Sequence, residues 1–360
     1  MIIREEKKWR ASTLRENRLT SLLLMILVIF AIGFILHQLQ TIFKPLLIAI
    51  FLSFIFEPMV NFLTGIKIPK FFAFLISLIV VFVVFYLFGL VIYASVASFS
   101  EEFPKYQTKF VALYNNVLGM VKVPHDQVQL YIKQIKWADV WKNLSIPSLL
   151  SSTVGTFISF LTNLFLVLIF TIYIVLGKVH MLAKVSKAFP DDRANRILSM
   201  IKNINRGMQR YLITKTMISV GTGVIAAIVL FAFGVDFAIV WGLLTFLLNF
   251  IPNIGSVIAT IPPILVTAFQ FGSFLKILWV ALLLIATQLT MGNVVEPRVM
   301  GKSMNLSPLV VIFSLIFWGF IWGPVGMLLA VPISSTIQII CANVEVLKPL
   351  SVFMGGDDDI

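Results

Sequence analysis

The groups able to do chemistry are few, and they stand out because almost everything around them is apolar. Glu57, followed by Pro58, and Glu296, followed by Pro297 and Arg298, place carboxylates beside long uncharged stretches, and Asp236 sits between two of them. An ionisable group held near hydrocarbon is costly and marks proton or cation handling, so Glu57 and Glu296 are candidates for proton or cation coupling. Glu57 fits a snorkelling or capping role equally well. A second set surrounds helix breakers: Asn249, Pro252, Asn253, Gly255 and Ser256 in one stretch, and Gly323, Pro324 and Gly326 in another. Where Pro and Gly interrupt a helix, freed carbonyls and amides can replace the hydration shell of an ion or polar solute. Gln288 and Asn293 add amide side chains between the two stretches. The competing readings are that Asn caps freed backbone and that Gly319 and Gly323 permit close helix packing.

Catalytic patterns are missing. Met300-Gly301-Lys302-Ser303 resembles the end of a phosphate-binding loop, but Glu296 stands where that loop needs glycine and no strand precedes it. There is no HExxH and no GxSxG, and His37, His125 and His180 fall far apart in the expected topology. The single cysteine, Cys341, rules out an internal disulfide framework and no cysteine pair suggests a metal site. The expectation is a protein that is not an enzyme, with no cofactor and no metal. The net charge of +12 lacks any nucleic-acid motif and follows from the placement of basic loops, so nucleic acid is not an expected partner.

The elements that must position these groups belong to a bilayer. Of 360 residues, 59% are hydrophobic and 12% charged, against roughly 25% charged in a soluble domain. Uncharged runs cover 71–100, 143–177, 216–235, 237–275, 277–295 and 303–344. A hydrocarbon core about 30 Å thick needs roughly 20 apolar helical residues, and helices satisfy their own backbone in lipid. The fold class is all-α and polytopic, with about six full transmembrane helices. Basic loops stay on the cytoplasmic side, which sets the layout. A basic cytoplasmic head spans 1–19; helices one to three fill 20–99, with an exit at His37–Gln40; an extracytoplasmic amphipathic segment covers 100–148. Helix four (149–177) leads to a basic cytoplasmic amphipathic helix (178–215) suited to an anionic leaflet. The core spans 216–345, and a cytoplasmic tail 346–360.

Two apolar runs have the wrong length. The 39 residues of 237–275 would make one helix about 58 Å long, and 303–344 repeats the problem with 42. Each has a Pro/Gly interruption at its middle, and neither interruption carries Lys or Arg. Each run is therefore expected to turn back as a re-entrant helical hairpin, giving an eight-segment layout, with a tilted, kinked single helix as the competing reading of each. Aligning Gly255 with Gly326 also superposes Ala259 on Ala330, a weak internal repeat whose halves, 216–271 and 277–341, would be inverted copies.

At Asn249-Phe-Ile-Pro-Asn-Ile-Gly255, Gly292-Asn-Val-Val-Glu-Pro-Arg-Val-Met-Gly-Lys302 and Gly323-Pro-Val-Gly-Met-Leu-Leu-Ala-Val-Pro332, the sequence resembles the autoinducer-2 exporter (AI-2E) family of bacterial permeases. The layout agrees over about residues 20–345. The resemblance implies a multi-pass inner-membrane transporter with cytoplasmic termini, working as a homo-oligomer with five subunits as the candidate number. Its partners would be the lipid bilayer and a small polar solute or a monovalent cation. The implied work is export of an autoinducer-2-like solute, with sodium(lithium)/proton antiport or passive conduction through an oligomer as alternatives. Carried over by position, the matching residues are Pro252, Gly255, Asn293, Glu296, Pro297, Gly301, Gly326 and Pro332. Thr290-Met291 stands where many relatives have an acidic residue before the Gly-Asn pair, which weakens the case for a cation site there.

Overall fold

A computed structural model describes residues 20–94 (without 21, 22, 25, 26, 29, 85, 92 and 93), 153–300 and 306–356. The basic head, the segment 100–148 expected outside, Gly301 and Lys302 lie outside the described residues. Every regular element among the described residues is helical. In chain order they are α1 (Gln40–Gly65), α2 (Lys70–Val91), α3 (Thr153–Ala188), α4 (Asp191–Ala232), α5 (Ala238–Leu248), α6 (Ile254–Phe271) and α7 (Phe274–Thr290). A π-turn, Met291–Val295, joins α7 to α8 (Glu296–Met300); α9 (Pro308–Trp322), α10 (Pro324–Asn343) and α11 (Lys348–Met354) complete the chain.

Six of these are long and apolar enough to cross a bilayer: α1, α2, α4, α6, the continuous α7–α8 segment and α10. The expected helix four appears as α3, bent by 54° between Lys178 and His180. Large apolar side chains face outward, among them Phe231, Phe274 and Phe320; their partner in this architecture is lipid.

Two boundaries differ from expectation. Helical hydrogen bonding runs through the supposed exit at residues 37–40: Leu39 donates its N–H to Ile35 and Phe43 donates to Leu39. More consequential is α4, a single helix of 42 residues that fuses the basic segment 178–215 to the apolar run after it. The boundary at 215/216 rests on a change of charge, and a change of charge does not stop a helix. What bounds α4 is Pro190 ahead of its first turn, where Asp191 and Asp192 complement the helix dipole, and Gly234 beyond its end, with φ +67°.

Both overlong runs fold back on themselves. In the first, α5 and α6 are joined at their open end by Gln270, which accepts a hydrogen bond from the Asp236 N–H (3.0 Å) and donates one to the Gly234 carbonyl (2.8 Å). In the second, the Ser334 hydroxyl on α10 donates to Ser314 on α9 at 2.6 Å; along a straight helix these residues would lie about 30 Å apart. The legs are unequal, 11 and 18 residues in the first hairpin, 15 and 20 in the second. The first packs against α4 through Gly223 and Gly242, where a Cβ on either would come within 2.7 Å of the other's carbonyl oxygen; small residues let two backbones approach this closely.

The core is a chain of apolar clusters. Ala226, Leu230, Val266, Val280 and Leu284 bind the first hairpin to α4 and α7. Ile251, from the tip of the first hairpin, joins Leu315, Trp318, Ile321 and Trp322 of the second, and Phe51, Phe54, Met208, Leu212 and Leu329 tie α1, α4 and α10 together.

Candidate functional site

The two hairpin turns are built alike. At the first, Asn249 ends α5 and Asn253 takes a positive φ (+59°, with ψ −51°) before α6 begins. At the second, Gly323 alone makes the turn, with φ +67° and ψ −146°, a region essentially reserved for glycine. In each, a glycine early in the second leg lies against a carbonyl of the first leg. A Cβ on Gly255 would sit 1.7 Å from the Leu248 oxygen, and one on Gly326 would sit 1.8 Å from the Trp318 oxygen. Ala259 and Ala330, one turn further along, are both fully packed. The glycine alignment seen in the sequence thus corresponds to a shared local construction. Gly319 and Gly323 have separate jobs: Gly319 accommodates Met327 of the second leg and Gly323 makes the turn.

The first turn is anchored by polar groups on α4. Asn249, 9% exposed, donates from Nδ2 to the Ser219 hydroxyl at 3.0 Å. One turn earlier on the same face, Lys215 is 2% exposed and donates to Glu296 Oε1 at 2.6 Å. Glu296 opens α8 directly after the π-turn, whose Met291 packs on Gly221 of α4. Within about two turns, α4 therefore receives the tip of the first hairpin and the break after α7. The Glu296 side chain is 23% exposed against 3% for Lys215, so it is the member of the pair that solvent or an ion can reach.

The remaining expected residues divide. Pro252 and Ser256 frame the turn: the Pro252 carbonyl accepts from the Ile254 N–H and the Ser256 hydroxyl donates to the Asn253 carbonyl, so Ser256 satisfies backbone freed at the break, while the Asn253 side chain makes no cap to α6. Gln288 is half-buried one turn before the π-turn, while Asn293 is exposed within it. Isolated π-turns within α-helices recur at functional sites. Pro324 opens α10, beyond the Gly323 turn. The second turn, which shares an apolar cluster with Ile251 of the first, is also tied to the chain ahead of α1: Trp322 Nε1 donates to the Leu36 carbonyl, and His37 Nδ1 donates to the Ile321 carbonyl, each at 3.1 Å. Glu57 joins neither turn. Its oxygens accept from Lys178 at 2.5 Å and from Gln209 at 2.6 Å.

Lys215 and Ser219 were not among the expected site residues. The signal for them was the spacing Tyr211, Lys215, Ser219, Thr222, a polar stripe on one face that exists only if α4 is read as one continuous helix. Among the described residues no group of His, Cys, Asp and Glu is placed to hold a metal ion.

Comparison with known proteins gives a consistent answer. The AI-2E family transporter profile matches residues 24–345. The AI-2 transport protein TqsA of Escherichia coli K12 is 32% identical over 302 residues, 82% of this chain and 84% of its own length. A relative in Borreliella burgdorferi is 32% identical over 328 residues (89% and 86%), and one in Haemophilus influenzae 31% identical over 318 (88% and 90%).

Proposed function

The chain belongs to the AI-2E family of transporters, and we propose that it exports a small polar solute of the autoinducer-2 kind across the cytoplasmic membrane, driven by an ion gradient. The support for the solute class is similarity to TqsA, an AI-2 transport protein. The observation that carries the site is the polar junction on α4, where Lys215, Ser219, Asn249 and Glu296 gather beside the broken backbone of residues 249–253. A solute with several hydroxyls would exchange water for the Asn249 amide and the carbonyls of the turn. A proton or cation arriving at the accessible face of Glu296 would weaken its hold on Lys215 and free the π-turn from α4, linking the ion to movement of the first hairpin.

In this reading the hairpins are inverted. The 27-residue segment Phe274–Met300 leads from the open end of the first towards the open end of the second, and α11 returns to that second end, where Met354 accepts from the Ser307 N–H. The basic residues of α3 and α4 support an inside location for the second open end, because translocated loops are depleted in Lys and Arg.

Reconstitution into proteoliposomes tests the proposal. Uptake of autoinducer-2 that saturates and follows an imposed proton or sodium gradient is expected, falling at least tenfold in Asn249→Ala and Glu296→Gln while Arg210→Gln stays at the wild-type rate. Unsaturable leak would replace the carrier with a channel. Collapse of a pH gradient by sodium or lithium without solute flux would make the protein a cation/proton antiporter.

A further inference from the structure

A second polar site lies away from the hairpins, in the angle where α3 bends. A cavity of about 570 Å³ opens between the bent end of α3, the first half of α4 and Glu57 of α1. Lys178, Lys202 and Arg206 face it, against the single carboxylate of Glu57. That carboxylate is already taken by Lys178 and Gln209, so among the described residues Lys202 and Arg206 have no anionic partner. Leu182 and Leu198 form apolar walls beside these cations. The site therefore has surplus positive charge on one side and a greasy surface on the other.

Its position along the chain adds a constraint. Lys178 is the first charged residue after the uncharged run 143–177, so the cavity lies where an apolar span gives way to charge, the depth at which hydrocarbon meets headgroups. We propose that this cavity binds the phosphate headgroup of an anionic membrane lipid, with Lys202 and Arg206 holding the phosphate and the leucine walls holding the glycerol and upper acyl chain. Guanidinium and ammonium groups suit phosphate oxygens, and basic pockets between helices at this level take such headgroups. The volume exceeds what a bare phosphate needs, and the apolar walls give no advantage to a soluble ion. This site is independent of the transported solute, so its test stands apart from the flux measurement.

The test uses the full chain, delipidated in non-ionic detergent, with phosphatidylglycerol, phosphatidylcholine or inorganic phosphate added, and binding read by native mass spectrometry and by thermal shift. Phosphatidylglycerol should bind in preference to phosphatidylcholine. The double variant Lys202→Gln/Arg206→Gln should bind it about tenfold to thirtyfold more weakly, in line with the contribution expected of two basic residues at a membrane surface. Arg210→Gln, on the same helix but outside the cavity, should bind as wild type does. All three positions are exposed, and gel filtration establishes that the variants fold. Equal phosphatidylglycerol affinity in the double variant and the wild type would overturn the proposal. So would inorganic phosphate binding with the same dependence on Lys202 and Arg206 while the two lipids bind alike, which would assign the cavity to a soluble anion.

Discussion

Lys215 and Glu296 carry opposite unit charges but differ in access to water, with side chains 3% and 23% exposed. Removing one partner of a buried pair is costly because the other charge is stranded, and the cost depends on which is left. Glu296→Gln leaves a sealed ammonium and should lower stability by about 3 kcal/mol. Lys215→Met leaves a carboxylate that can draw in water and should cost clearly less, and the double variant should recover part of the loss. Thermal unfolding in detergent checks the order; equal losses for both single variants would show that the pair shares one environment. Much of this site was legible in the sequence. Glu296, Asn249 and the Pro/Gly turns were identified because charge, amides and helix breakers are conspicuous in an apolar chain. Lys215 was not, because it closes a run of basic residues and reads there as the end of an amphipathic helix lying on the leaflet; its burial follows from helix continuity, which local charge does not encode.

At the scale of elements, the two turns set a steric requirement that residue polarity does not reveal. Gly255 and Gly326 each press against a carbonyl of the preceding leg, so even a methyl group must push the legs apart. Gly255→Ala and Gly326→Ala should each destabilise by about 3 kcal/mol, the upper part of the range for overpacking. Gly292→Ala, where the added Cβ meets nothing within 4 Å, should be nearly neutral. Melting temperatures of the three variants check this, and a neutral Gly255→Ala would mean that the first turn is looser than described. That each run folds back was legible because two apolar runs exceeded any single crossing. Their inequality was not, since it depends on where packing against α4 ends the short leg, a tertiary effect.

For the molecule as a whole, the hairpin layout fixes the sides on which α7 begins and ends. If the first hairpin starts and finishes outside, Lys276 lies outside and Arg298 inside; a single kinked crossing over 237–275 would reverse both. In a Cys341→Ser background, Lys276→Cys should react with an impermeant maleimide in intact cells, and Arg298→Cys only after permeabilisation. The opposite pattern would reject the hairpin topology. Both side chains are exposed, so reactivity reports the side of the membrane and not burial.

The unbroken course of α4 has a mechanical consequence. Its 42 residues make a rod about 63 Å long, gripped near Ser219 by the first turn and free of Pro throughout. Pivoting such a rod by about 10° at Ser219 would swing its Asp191 end through roughly 7 Å, at a rise of about 1.5 Å per residue. A small rocking beside the first turn would thus be levered into a displacement large enough for another molecule at the basic end to feel.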